Sequence, residues 1–248
     1  MITSFDEYPV HQVAEPIRHA QTSDRNFYDR YYFNAFDREG EQFVVVGFGQ
    51  YPNLGVHDAF AVISRGDLHR VVRSSAELVD RADTRIGPLS IEVVEPLQRL
   101  RVRCDSAEHG LELDLEWNAT SIAHEEPRHY IRKYGRVVFD TCRFAQLGAW
   151  TGRVRIGDDV VEVTPDRWMG TRDRSWGIRP GGEPEPPGIR GEEGQMSGMW
   201  NYFPARFEEY SLVYMLNETE TGERTIEEAV RIWDDPDRGV EWLGRPEH

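Results

Sequence analysis

The sequence is short of several features that define large protein classes. Only two cysteines occur among 248 residues, Cys104 and Cys142, far apart and each within a strand-like stretch. They read as buried free thiols in a reducing compartment, and alone they cannot form a metal motif, so no metal is expected. No apolar run approaches the ~18–20 residues of a membrane helix. Residues 1–9, Met1 to Pro9, lack the basic start and apolar stretch of a signal peptide. A cytoplasmic protein with no membrane insertion is therefore expected. Positive charge is also scarce: Lys plus Arg number 29 against 44 Asp plus Glu, a formal charge of −15. Such a surface repels a duplex or an anionic bilayer over a Debye length, and no Lys/Arg run offsets it. Nucleic acid is not an expected partner. There is no G-x-S-x-G and no P-loop, and Gly47-Phe48-Gly49 lacks the third glycine and following helix of a dinucleotide site. Serine hydrolase, NTPase and dehydrogenase chemistry fall away, and no cofactor is expected.

What the chain has in quantity is short strands. Tyr31 to Phe36 and Gln42 to Gly49 flank the turn Asp37-Arg38-Glu39-Gly40, a hairpin with its turn signal in place. Ala59 to Ile63 and Leu68 to Val72 flank a second turn, Arg65-Gly66-Asp67. Leu111-Glu112-Leu113-Asp114-Leu115-Glu116-Trp117 alternates apolar and acidic residues, the period of a strand with one face in a core and one in water. Turn signals recur at the roughly 8–12-residue spacing of barrels and sandwiches, without amphipathic helices between strands. An all-β fold of antiparallel meander strands is expected, closed into one or two barrels. Residues 76–85 and 140–148 admit a short helix.

Three segments follow from this pattern. Residues 1–26 are polar and form an N-terminal arm, residues 27–145 a first β-barrel, and residues 146–248 a second β unit. Residues 119–135, with Pro127 and several His and acidic side chains, read as a solvated connector. A Gly-, Pro- and Glu-rich stretch from Pro180 to Gly194 reads as a mobile loop. The second unit holds about five strands where a closed barrel has about eight. Either that unit is an open sheet or the chain is part of a longer protein, and the second reading is preferred.

The aromatic hairpin around Tyr31-Tyr32-Phe33-Asn34 and the decapeptide Trp168-Met169-Gly170-Thr171-Arg172-Asp173-Arg174-Ser175-Trp176-Gly177 carry a resemblance. They resemble the lipocalin-like superfamily of carotenoid 1,2-hydratase (hydroxyneurosporene synthase), kievitone hydratase and the AttH proteins. The resemblance implies tandem calycin-type barrels, a boundary near residue 145 and a length greater than 248. In the hydratases an Asp-His pair followed by Trp-Gly supplies the catalytic acid. Asp173, Trp176 and Gly177 match that pattern, whereas Arg174 stands where the His would be.

Hydrating an alkene requires a proton donor and a site tolerant of a carbocation. A carboxyl in an apolar pocket keeps its proton near neutral pH, and aromatic faces stabilise a cation by ~1–2 kcal/mol each when dry. Asp173 is the candidate acid, with Trp168, Trp176, Trp200 and Tyr202 as candidate ligand-binding aromatics. The competing reading, preferred on sequence alone, pairs Asp173 with Arg172, Arg174 or Arg179, which would lower its pKa. Trp176 also reads as a barrel plug, and Gly177 as a point of close backbone approach. Tyr51, Asn53 and His57 are further ligand-binding candidates on a loop at a barrel mouth. His57 and Asp58 point to opposite faces of a strand, so they cannot contact each other, and a solvated His is the simpler reading. His124 and His129, with Glu125 and Glu126, fit no standard metal spacing.

The expected function is binding of an apolar small molecule, an isoprenoid, steroid or fatty acyl compound, in a lipocalin-like cavity. One rival is a hydratase, isomerase or cyclase acting on an isoprenoid-like alkene with Asp173 as general acid. Another is a non-catalytic partner module, which a large exposed apolar patch would favour. The sequence leaves the oligomeric state open.

Overall fold

The computed structural model describes residues 2–133, 135–180 and 198–245. All but the first residue of the Pro180–Gly194 stretch lies outside them. Alternation of apolar and polar residues builds most of what is seen: Leu111, Leu113, Leu115 and Trp117 are buried while Glu112, Asp114 and Glu116 between them are not. Four long strands come first: β1 (Phe27–Asp37), β2 (Gln42–Tyr51), β3 (Val56–Arg65) and β4 (Leu68–Glu77). Then come β5 (Arg85–Ile86), β6 (Leu89–Glu95), β7 (Arg99–Ser106), β8 (Leu111–Ala119), β9 (His124–Glu125) and β10 (His129–Lys133). The long β11 (Arg136–Ile156), β12 (Asp159–Val163) and β13 (Trp168–Ile178) complete a first sheet. A second sheet holds β14 (Met199–Arg206), β15 (Tyr210–Glu218), β16 (Arg224–Trp233) and β17 (Val240–Trp242).

The first sheet runs β4-β3-β2-β1-β13-β11-β8-β7-β6-β5, with β9, β10 and β12 also paired to β11. Its pairings are antiparallel. The sheet curls so that one core joins Val72 of β4, Ile86 of β5, Phe33 of β1 and Leu115 of β8. At its centre Phe33 packs edge-on to Trp117 and Trp150, with ring centroids 6.5 and 5.8 Å away. The all-β, antiparallel, lipocalin-like architecture expected from the sequence is present.

β11 shows why local readings miss detail. Residues 140–148, which admit a helix, lie in the middle of this 21-residue strand. Its second half pairs with β8 and its middle with β13, so tertiary pairing overrides the weak local signal. Residue 145 falls inside β11, and the first sheet continues to Ile178 before the second begins at Met199. The connector reading of residues 119–135 needs correction: His124–Glu125 and His129–Lys133 are strands against β11, and Glu126 and His129 are buried.

Two glycines of the decapeptide have steric roles. A Cβ on Gly170 would lie 2.0 Å from the Asn34 carbonyl oxygen, and one on Gly177, whose φ is +129°, would lie 2.0 Å from that of Asp140. Both positions therefore favour the residue without a Cβ.

The second sheet packs over the outer face of β11. Leu147 joins Val213, Val230 and Ile232 in a small core, with Ile122 and Tyr202 against it. His124 Nε2 lies 3.0 Å from Glu228 Oε2, and His129 Nε2 lies 3.2 Å from Thr225 Oγ1, tying β9 and β10 to β16. Among the described residues no helix is long and apolar enough to cross a membrane.

Candidate functional site

β1 and β13 pair from Phe27↔Ile178 to Asp37↔Trp168, and successive side chains alternate between two surroundings. One face looks into the curled first sheet, a barrel-like interior that no strand pairing closes between β4 and β5 among the described residues. The other looks outward, towards the seam with the second sheet.

Asp173 is on the seam face, between Tyr32 of β1 and Ala145 of β11 by register. Removal from water pushes its carboxyl pKa above the usual range, against the opposing pull of Arg143, Arg30 and Arg179. None of the described basic residues forms an ion pair with it. The pairing with a neighbouring arginine expected from the sequence is not found. Alternation turns Arg172 and Arg174 to the other face, where Arg172 donates to Gln146 and Arg174 forms an ion pair with Asp29. Arg179 instead lies over the Tyr28 ring, 4.4 Å from its centroid.

Around Asp173 the seam gathers further titratable groups. Glu126 pairs with Arg143, and the Arg143 guanidinium sits 5.2 Å from the Trp200 ring centroid and 5.1 Å from that of Tyr202. Trp200 and Tyr202 are themselves stacked. Burial raises the pKa of Glu126 and of the Tyr202 hydroxyl, and the Glu126 charge adds to the second shift. Tyr51 lies on the same outer face, its pKa raised by burial and by Asp58 and lowered in part by Arg30 and Arg179. Two guanidinium groups that act on Asp173 thus also act on Tyr51.

The barrel face is different in kind. A cavity of about 840 Å³ opens at the barrel mouth, lined by Tyr31, Phe48, Ile91 and Val93 and roofed by Phe5, Tyr8, Val10 and Ile17 of the N-terminal arm. The arm is fastened in three ways. Arg81 Nη1 donates to the Ile17 carbonyl at 2.8 Å, and Asn53 Nδ2 donates to those of Thr22 and Asp24, each at 2.8 Å. Within the arm, the Asp6 carboxylate accepts from the backbone N–H groups of Ile17 and Thr3, which hold its pKa far below the usual range. The charged groups on the cavity wall are Asp29, Asp83 and Glu92 together with Arg81, Arg85, Arg103 and Arg174, and Gln50 is among its neutral polar groups.

The residues singled out from the sequence divide accordingly. Asp173, Tyr202 and Trp200 meet at the seam through Arg143, and Tyr51 lies along the same outer face. Trp168 is buried in the barrel core. Trp176 packs near Phe144, with centroids 6.5 Å apart, on the strand face opposite Asp173. Asn53 pins the arm. His57 is a buried barrel residue, not a solvated loop group: it lies edge-on to Phe48, and burial lowers its pKa. Sequence reasoning missed Arg143, Asp29 and Arg81, and it weighed Glu126 only as a metal candidate in a solvated connector, whereas it is buried against Arg143. Only the alternation in Asp29-Arg30-Tyr31-Tyr32, polar and aromatic on both faces, hints that both sides of β1 are occupied.

The chain belongs to a family of unknown function, DUF8625, whose family model matches residues 2–233. No curated protein matches it. Among solved structures, kievitone hydratase from Nectria haematococca is similar at 12% identity with a TM-score of 0.53, over 93% of this chain and 68% of that one. An AttH-class protein from Nitrosomonas europaea is similar at 14% identity with a TM-score of 0.54, over 94% and 73%. CghA with Sch210972 is similar at 13% identity with a TM-score of 0.54, over 85% of this chain and 58% of that one. The likeness to kievitone hydratase and AttH proteins read from the decapeptide is thus borne out, and at these identities it is a likeness of fold.

Proposed function

We propose that this protein binds an apolar small molecule, of isoprenoid, steroid or fatty acyl type, in the cavity at its barrel mouth. The supporting observation is the cavity itself. Its volume of about 840 Å³ falls within the range of small-molecule sites, and aromatic and aliphatic side chains line it beneath a fastened arm. Burying such a ligand's surface yields roughly 25 cal/mol per Å², so a molecule that fills the space stabilises the folded state. The test is thermal unfolding against a panel of isoprenoid alcohols, sterols and fatty acyl compounds. At least one class raises the Tm in a concentration-dependent way; a panel that leaves the Tm unmoved overturns the proposal.

A second reading is favoured by Asp173. Its carboxyl lacks an ion pair, has a raised pKa and shares the seam with Tyr202, Trp200 and Tyr32. Those are the properties of a proton donor to an alkene, with the aromatic rings facing a developing cation. The second reading is therefore a hydratase, isomerase or cyclase with its chemistry at the seam. Asp173→Asn then abolishes turnover of an isoprenoid alkene while fold and binding remain; full activity in that variant ends this reading.

A further inference from the structure

The barrel-mouth cavity is apolar in most of its wall, and its charged groups lean positive, with Arg81, Arg85, Arg103 and Arg174 against Asp29, Asp83 and Glu92. Asp29 Oδ1 lies 3.0 Å from Arg174 Nη1, and Asp29 Oδ2 lies 3.4 Å from Arg81 Nη2. One carboxylate thus serves two guanidinium groups. Behind Arg174, on the same face of β13, stands Arg172, only 2% exposed. Its Nε donates to Gln146 Oε1 at 2.8 Å and its guanidinium rests on the Phe144 ring, but its Nη2 has no hydrogen-bond partner. Gln146 is fixed in that orientation because its amide nitrogen donates to the carbonyls of Leu97 and Ser121. Arg81 and Arg174 therefore share one paired carboxylate, and Arg172 behind them has none among the described residues, in a chain whose formal charge is −15.

A buried cation without a counter-ion is costly, and an acidic protein gains nothing in solubility from hiding arginines. A bound anion would offset that cost. Arg174 and Arg81 both line the cavity. A guanidinium has five N–H donors in a planar fork, more than a shared carboxylate can accept, and the fork matches a second carboxylate. Tyr31, whose ring centroid is 3.9 Å from the Arg174 guanidinium, holds that fork flat against an aromatic face.

Resting on the binding function proposed above, we infer that the ligand is an amphipathic acid. Its carboxylate meets Arg174 and Arg81, and its apolar body lies along Phe48, Ile91 and Val93 beneath the arm. Dodecanoate, dodecan-1-ol and dodecylammonium share a tail and differ in head group, so calorimetric titration of the intact protein with each separates tail from charge. Dodecanoate binds at least about tenfold more tightly than the alcohol, as expected for a charge-assisted hydrogen bond. Dodecylammonium binds least. Arg174→Gln reduces dodecanoate to the affinity of the alcohol, and Arg81→Gln does the same in part if the first variant does not fold. Equal binding of acid and alcohol, a preference for the ammonium, or undiminished dodecanoate binding by a folded Arg174→Gln protein overturns the inference while leaving the apolar site standing. Failure of all three probes to bind the unaltered protein overturns the inference, while the thermal-unfolding panel of isoprenoid alcohols, sterols and fatty acyl compounds decides separately whether the apolar site stands.

Discussion

On the barrel side of β13, Arg172 and Arg174 are turned inward; Arg174 shares the Asp29 carboxylate with Arg81, and Arg172 bonds Gln146. One residue away on the seam side, Asp173 is a carboxyl with three guanidinium groups in electrostatic reach and none paired to it. The same five residues, Arg172 to Trp176, thus build an electropositive wall on one face and an unpaired acid on the other. The backbone of a strand is enough to keep these environments separate, because alternate side chains cannot cross the sheet. Charge patterns read along the sequence combine what the fold divides: Arg-Asp-Arg looks like an ion-paired triplet and is two separate sites.

The faces also differ in how they are held. The barrel face rests on a core that gathers residues from both ends of the curled sheet, while the seam rests on a small cluster around Leu147, Val213, Val230 and Ile232. Phe33→Ala, at the centre of the first, is expected to lower stability by about 3–5 kcal/mol, and Leu147→Ala, in the second, by about 2–3. Denaturant midpoints at unchanged m-value measure both. A reversed order would mean that the seam, not the barrel, carries the fold. Gly170→Ala tests the spacing on which both faces depend. Its Cβ would meet the Asn34 carbonyl, so β1 and β13 must separate, at a cost of about 1–3 kcal/mol. A neutral result would show that the strands move apart freely.

Smaller effects follow from titration. Asp173 has a folded-state pKa above its unfolded value of ~3.9, so its ionisation opposes folding above the folded pKa and has no effect below the unfolded one. Asp173→Asn therefore raises the Tm at neutral pH, and the gain vanishes towards pH ~4. A lower Tm in the variant at pH 7 would place an ion pair on Asp173 after all. His57 and His129 have lowered pKa values because burial disfavours the imidazolium, with Arg143 adding to the effect on His129. Below the unfolded value of ~6.5 the unfolded chain binds more protons than the native one, so stability is full above that pH and declines as pH falls through it. The double variant His57→Gln with His129→Gln flattens that decline by a modest amount. An unchanged slope would assign it to other groups.

Much of the fold was legible because its strands alternate cleanly, as in Leu111 to Trp117, and because Asp37 to Gly40 and Arg65 to Asp67 are unmistakable turns. β9 and β10 were not, since short strands bearing His and Glu owe their form to pairing with β11 rather than to propensity. The decapeptide pointed to Asp173, but its surroundings come from elsewhere in the chain: Glu126, Arg143 and Tyr202 at the seam, and Asp29 and Arg81 at the barrel mouth. Contacts at such separation leave no local periodicity to read. His57 shows the converse, a residue whose neighbours suggested a loop and whose register with Gln50 places it inside the barrel.

The central claim is that the barrel mouth, and not the seam, holds the ligand. Native mass spectrometry of the purified protein, followed by organic extraction, tests it most directly when run beside two variants. Ala82→Trp fills the cavity from its wall, and Asp173→Asn alters only the seam. An apolar molecule bound one-to-one is expected, present in Asp173→Asn and absent from Ala82→Trp. A molecule retained by Ala82→Trp and lost from Asp173→Asn would contradict it and move the binding site to the seam.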